Sequence, residues 1–276
     1  MMLWRSASAE LSKLVKRPAN WLMLAVGTAL GLTFTYLLPL AGAAGASSGA
    51  PNSDRGIAST FPDQLVGNSI GGLPVFLGAI ALVIGVLAVG GEYGWGTWKT
   101  VLTQGPSRLT VYGGKLFALA VAMLALVLTV FVTGALVSAG IALSEGAPLL
   151  WPSVFSVLEG IGAGWLIAFT WAAFGVLLAI AMRGVALPMG LGLVWLLVVQ
   201  NLLIGVAAPL VSWVEDLQLG LPGSNAGSLV ASLGASSQSP GVAELTGPIQ
   251  AAVVVFAYLI AFIGMGGWLL HRRDVI

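Results

Sequence analysis

The chain contains no cysteine, a single histidine and very little charge. Without cysteine there are no disulfides, no thiolate nucleophile and no zinc–thiolate site. One histidine, His271, cannot build a metal centre from several imidazoles. No catalytic residue, metal or cofactor is expected on this chain. Charged residues make up 8% of the 276 positions and hydrophobic residues 58%. A soluble domain is about a quarter charged. This chain lacks the polar surface to cover itself in water, so the expected solvent is a lipid bilayer.

What is present is a series of long apolar runs. A hydrocarbon core about 30 Å thick needs roughly 20 apolar helical residues. Six stretches meet that length, at about 21–40, 71–90, 116–143, 160–182, 185–211 and 248–270. In lipid each backbone polar group must be satisfied within its own segment, so these runs predict helices. The fold class expected is an all-α integral membrane protein, a single transmembrane domain over 1–276 with six spans.

The basic residues orient it. With the N-terminus inside, Arg5, Lys13, Lys16, Arg17, Lys99, Arg108, Lys115, Arg183, Arg272 and Arg273 are all cytoplasmic, and only Arg55 is outside. The reverse orientation would export nearly every cation, against the positive-inside rule. Asp54, Asp63, Glu145, Glu159, Glu215, Asp216 and Glu244 fall outside or at the outer edge. Both termini are therefore expected in the cytoplasm. The first apolar run is longer than a signal-peptide core of about 7–15 residues, which favours a retained helix over a cleaved leader.

Residues 2–17 predict an amphipathic elbow helix in the cytoplasmic interface. Trp4, Leu11 and Leu14 lie on its apolar face, and Arg5, Glu10, Lys13 and Lys16 lie largely on the polar one. Pro18 ends it. The first outer loop, 41–70, is rich in Gly, Ala, Ser and Pro and reads as irregular, without a core. The outer loop 212–247 mixes apolar residues with Gly and Ser and suits short interfacial or re-entrant helices. Arg183 and Gly184 alone join spans four and five, a tight hairpin.

The cytoplasmic loop at 91–115 stands out. Reversing the chain takes about 2–8 residues, and this loop is far longer. It carries Tyr93, Trp95 and Trp98 on the watery side and a helix-compatible run, 97–104, closed by Pro106. A short helix with exposed aromatics and nearby cations suits docking of a soluble partner. The plainer alternative is an aromatic belt anchoring span two. It accounts for Tyr93 and Trp95 but leaves Trp98 and the loop length unexplained.

Glu92, Gly96-Thr97, Val101-Leu102, Pro106-Ser107-Arg108 and Gly114-Lys115, in that order and at that topological position, resemble the first cytoplasmic loop of ABC-2-type transporter permeases, the transmembrane subunits of type V ABC exporters. The local motif covers about a tenth of the chain, and the elbow, six spans and long outer loop before the last span extend the resemblance to the whole. Pro106 and Ser107 are adjacent here, and Trp98 stands where many relatives have Leu. The resemblance implies a coupling helix that docks on a separate nucleotide-binding ATPase subunit. On that reading Glu92 starts the helix, Gly96 permits close approach with Thr97 beside it, Trp95, Trp98 and Val101 fill the partner's groove, and Lys99 and Arg108 meet acids or lipid phosphates. It also implies a second permease subunit, identical or related, ATP and magnesium on the partner rather than on this chain, and a bacterial-type inner (plasma) membrane location.

The sequence has no phosphate-binding loop of its own. Gly113-Gly114-Lys115 is a fragment, with Leu109 and Leu116 where a glycine and a Ser or Thr are required. It reads instead as a bend into span three. The spans show almost no ionisable residue, which disfavours a proton- or ion-coupled carrier. Gln200 and Asn201 are the deep amides, suited to interhelical hydrogen bonds or to lining a path. Gly27/Gly31 and Gly160/Gly164 favour close helix packing. Uncharged spans suggest export of an amphipathic, lipid-like, peptide or drug cargo. A non-ATP-driven carrier or channel, or a membrane scaffold, is the competing expectation.

Overall fold

The computed structural model describes residues 2–45, 52–94, 96–103, 107–207 and 210–272. Among these residues there are helices and turns and no strand. Helix α1 (Met2–Lys16) leads into α2 (Pro18–Leu32), which passes through a π-helical turn, Thr33–Leu37, into α3 (Leu38–Ala43). Pro39 has no N–H to give its preceding turn, so the Leu38 N–H reaches back to the Thr33 carbonyl and the register slips. After three 3-10 turns come α4 (Leu65–Ile70), α5 (Phe76–Gly94), α6 (Thr97–Thr103), α7 (Arg108–Ser144), α8 (Val154–Met182), α9 (Ala186–Leu193), α10 (Gln200–Leu202), α11 (Ser212–Gln218), α12 (Pro222–Ser232) and α13 (Pro248–Arg272).

Among the described residues, five helical segments are long and apolar enough to cross a membrane: Pro18–Ala43, Phe76–Gly94, Arg108–Ser144, Val154–Met182 and Pro248–Arg272. They match five of the six expected spans. The remaining run, expected at 185–211, is helical from Ala186 to Ala207 but twice passes into π geometry, at Val194–Val199 and Leu203–Ala207. Large apolar side chains such as Leu128 and Val132 on α7 and Val253, Phe256 and Ile260 on α13 stay exposed, as a lipid-facing surface requires.

The centre is the α5–α8 pair. A Cβ on Gly85 would fall on the Ala172 carbonyl, and one on Gly175 on the Leu82 carbonyl. At each contact one of the two facing residues is a glycine, so the backbones touch, which raises the dispersion contact available in lipid. Gly160, Gly164 and Gly27 are likewise packed against neighbouring side chains, whereas Gly31 faces open space. The α8–α9 hairpin turns on Arg183, in the left-handed conformation at φ 54°.

Three expectations change. The first outer loop has a core after all: every residue of α4 is buried, and Gly67 abuts the Gly234 backbone. The second span therefore begins at Phe76, after turns at 71–75, rather than at 71. The Gly113–Lys115 bend does not exist. Helix α7 runs unbroken for 37 residues, about 55 Å at 1.5 Å per residue, and overshoots the hydrocarbon core. Gly114 serves packing instead: a Cβ there would meet Ser6 Oγ at 2.5 Å, so its absence lets α1 lie against α7.

Candidate functional site

The site lies where α1, α5, α6 and α7 meet. Helix α1 buries Ala7, Glu10 and Leu14, a stripe spaced at three and four residues, against α7. Its C-terminal carbonyls are satisfied from the next helix: Asn20 Nδ2 donates to Leu14 O at 2.8 Å and Trp21 Nε1 to Val15 O at 2.7 Å. Arg17 Nη1 donates to Leu87 O at 3.0 Å, fixing the α1–α2 corner to α5.

Inside that corner four charges close a ring. Lys115 Nζ donates to Glu92 Oε1 at 2.6 Å and to Glu10 Oε2 at 2.9 Å. Lys13 Nζ donates to Glu10 Oε1 at 2.7 Å and to Glu92 Oε1 at 3.0 Å. Lys115 is 1% exposed and Glu92 3%, so both have left water. Lys115 spends its third proton on Ala88 O, at 3.4 Å, and its ammonium lies 5.5 Å from the centre of the Trp98 ring. Two cations and two anions make the ring neutral. Burial disfavours the charged form of Lys13, but hydrogen bonds and attraction from Glu10 and Glu92 outweigh it and raise its pKa.

Helix α6 sits on this ring. Gly96 starts it from φ +64°, a conformation that costs any L side chain. Trp98 turns inward: it is 2% exposed, its ring 5.6 Å from that of Tyr93. Thr97 Oγ1 makes a long bond, 3.5 Å, to Glu92 O. Thr100 and Thr103 face outward. Trp95 lies outside the described residues, as do the side chains of Lys99 and Val101. Beyond α6, Ser107 caps α7, its Oγ accepting from Thr110 N at 3.2 Å. The Ser-Arg of the motif is thus a helix start, and Arg108 reaches Leu270 O on α13 at 3.4 Å.

Several assignments from sequence are revised. Glu92 does not open the α6 helix or face a partner. It belongs to the last turns of α5, where a carboxylate is disfavoured by the helix dipole and is held by Lys115 and Lys13 instead. Trp98 is a packing residue between Tyr93 and Lys115, not an exposed groove-filler. Gly96 is required by its backbone angle; a Cβ there would meet nothing within 4 Å. Arg108 ties α7 to α13. Glu10 and Lys13, read as part of a polar helix face, are members of the buried ring. The spacing of Ala7, Glu10 and Leu14 was the available signal, since it puts Glu10 inside an apolar stripe. In the interfacial helix itself, Leu14 is buried, Leu11 half-buried and Trp4 exposed, with its ring edge on Phe117 at 5.9 Å.

The two deep amides differ: Gln200 bonds to another helix and Asn201 to its own. Gln200 is buried, and its Oε1 accepts from Gly223 N at 2.8 Å, satisfying the start of α12. Asn201 Nδ2 returns to Leu197 O of its own helical run at 2.8 Å.

Compared with known families, residues 6–275 match the sequence model described as ABC-2 family transporter protein. Among curated proteins none matches the chain.

Proposed function

Because the chain belongs to the ABC-2 family of transporter proteins, we propose that it is the membrane-spanning permease subunit through which a separate nucleotide-binding subunit drives export of an amphipathic, lipid-like, peptide or drug cargo. The observation that carries this reading is α6 on the ion ring. A short helix between two membrane-spanning helices presents Gly96, Thr100 and Thr103 outward, and its inward Trp98 lies against Lys115, which binds α1, α5 and α7 at once. A push on α6 would reach three helices through Trp98 and the Lys115 ion pairs. ATP and magnesium belong to the partner.

The proposed topology has six spans, the π-turned run Ala186–Ala207 being the fifth, with both termini cytoplasmic and α1 in the inner interface of a bacterial-type plasma membrane. Two such permeases with two ATPase subunits form the transporter. The carrier alternative would place ionisable groups within the hydrocarbon region. The buried charges here gather at one end of α5 and α7, beside α6.

Co-expression with an ABC ATPase subunit from the same organism tests the docking. The wild type is expected to co-purify with the ATPase, and Thr100→Glu with Thr103→Glu on the outer face of α6 is expected to lose it while staying folded. Equal recovery of the ATPase with both forms would move the docking site away from α6.

A further inference from the structure

Helix α1 has one acid, Glu10, and the ion ring consumes it. Its solvent-facing charges are therefore cationic. Arg5 and Lys16 are exposed, and among the described residues Lys16 has no ion-pair or hydrogen-bond partner. Two recesses flank the Leu11–Val15 ridge of this helix. One, of about 190 Å³, is apolar and runs between α1, α2 and α7, with Trp21 and Leu24 on one wall and Val121 and Ala125 on the other. The second, of about 350 Å³, carries Ser8, Ser12 and Lys16 beside Trp4 and Phe117. Leu11 and Val15 line both. Both tryptophans are held, Trp21 through its bond to Val15 O and Trp4 against Phe117.

An apolar slot beside a cationic, hydroxyl-bearing recess has the chemistry of one molecule with a hydrocarbon chain and an anionic head. We propose that this corner is a binding site for a single anionic phospholipid, one acyl chain lying between α1, α2 and α7 and the phosphate against Lys16. The leaflet is the one that holds α1, the cytoplasmic leaflet on the topology proposed above. A bound lipid would brace α1 on the face opposite the ion ring. An unpaired lysine at a membrane surface favours an anionic headgroup, and the exposed charges of α1 contain no acid to oppose it.

The purified, delipidated chain, without any ATPase, is titrated with dioleoyl phosphatidylglycerol and with dioleoyl phosphatidylcholine, and bound lipid is counted by native mass spectrometry. The wild type is expected to hold phosphatidylglycerol about fivefold more tightly, the preference one surface cation supplies. Lys16→Gln is expected to erase the preference, and Ala125→Trp, on an exposed position in the slot, to weaken both lipids. Equal affinity of the wild type for the two lipids would overturn the proposal. So would an Ala125→Trp chain that binds lipid as the wild type does, including one whose oligomeric state changes instead, which would assign the slot to a second copy. Because no ATPase is present, failure here leaves the docking proposal standing, and failure of docking leaves this one standing.

Discussion

The two ends of the helical bundle are closed by different chemistry. At the α6 end an ionic ring joins elements: Glu10, Lys13, Glu92 and Lys115 bind α1, α5 and α7 around a buried lysine, beside neutral contacts such as Gly114 on Ser6. At the other end the contacts are neutral and mostly backbone. Gly67 lies on the Gly234 backbone and Gly227 on the Gly241 carbonyl. Ser228 Oγ donates to Ala243 O at 2.9 Å and accepts from Leu245 N and Thr246 N, and Thr246 Oγ1 donates to Asn225 Oδ1 at 3.1 Å. The single basic residue there, Arg55, donates to the amide of Asn68 at 3.2 Å and has no carboxylate partner among the described residues; burial lowers its pKa. Ionic contacts are strong and directional but depend on every member. Neutral backbone contacts depend on the absence of side chains.

The largest effect should come from breaking the ionic end by removing its hub. Lys115→Met leaves Glu10 and Glu92 with one lysine, Lys13, between them, and removal of one partner of a buried pair costs about 3–5 kcal/mol. A thermal unfolding curve of the purified chain in detergent checks it. Replacing both partners sharpens the comparison. Glu92→Leu with Lys115→Met leaves the Glu10–Lys13 pair and an apolar filling, which is often neutral in stability. This double variant is expected to fold and to hold the ATPase, yet to lose the permease's control over ATP hydrolysis. A double variant as unstable as Lys115→Met would contradict the ring as a separable unit.

At the neutral end, Gly67→Ala forces a methyl onto backbone and should cost about 1–3 kcal/mol, the usual penalty of overpacking. It should do so without altering ATPase binding. Gln200→Leu leaves the Gly223 N–H without its acceptor and should cost about 1–3 kcal/mol by the same unfolding measurement. The smallest effect is pH-linked. The folded pKa of Lys13 is raised above its usual value near 10.5. Its contribution is thus fully present below that value and fades as pH climbs through the folded pKa. Lys13 is partly exposed, so Lys13→Met should lower the melting temperature slightly at pH 8, and the gap should close only as pH climbs through the raised folded pKa.

The sequence revealed five of the apolar helices long enough to cross a membrane because length and hydropathy act locally, and it revealed α6 and the Arg183–Gly184 hairpin because Gly, Pro and Ser punctuate them. Lys115 was placed in a loop because its charge suggested water; only the approach of α1 and α5, more than twenty residues away in the chain, makes its burial possible. Trp98 was read as exposed for the same reason, since nothing local says which way a seven-residue helix turns its face. The first outer loop looked coreless because small residues carry no hydropathy signal, yet they allow the Gly67–Gly234 contact at that end.

The absence of cysteine offers the most direct test of the central claim, that the nucleotide-binding subunit docks on α6. A Thr100→Cys chain carries one thiol, on the exposed face of α6, and a Ser237→Cys chain carries one on the exposed surface of the opposite end. Each is co-expressed with the ATPase and treated with a short thiol-to-amine cross-linker. The account predicts a permease–ATPase adduct from Thr100→Cys and none from Ser237→Cys. An adduct from the second and not the first would contradict it.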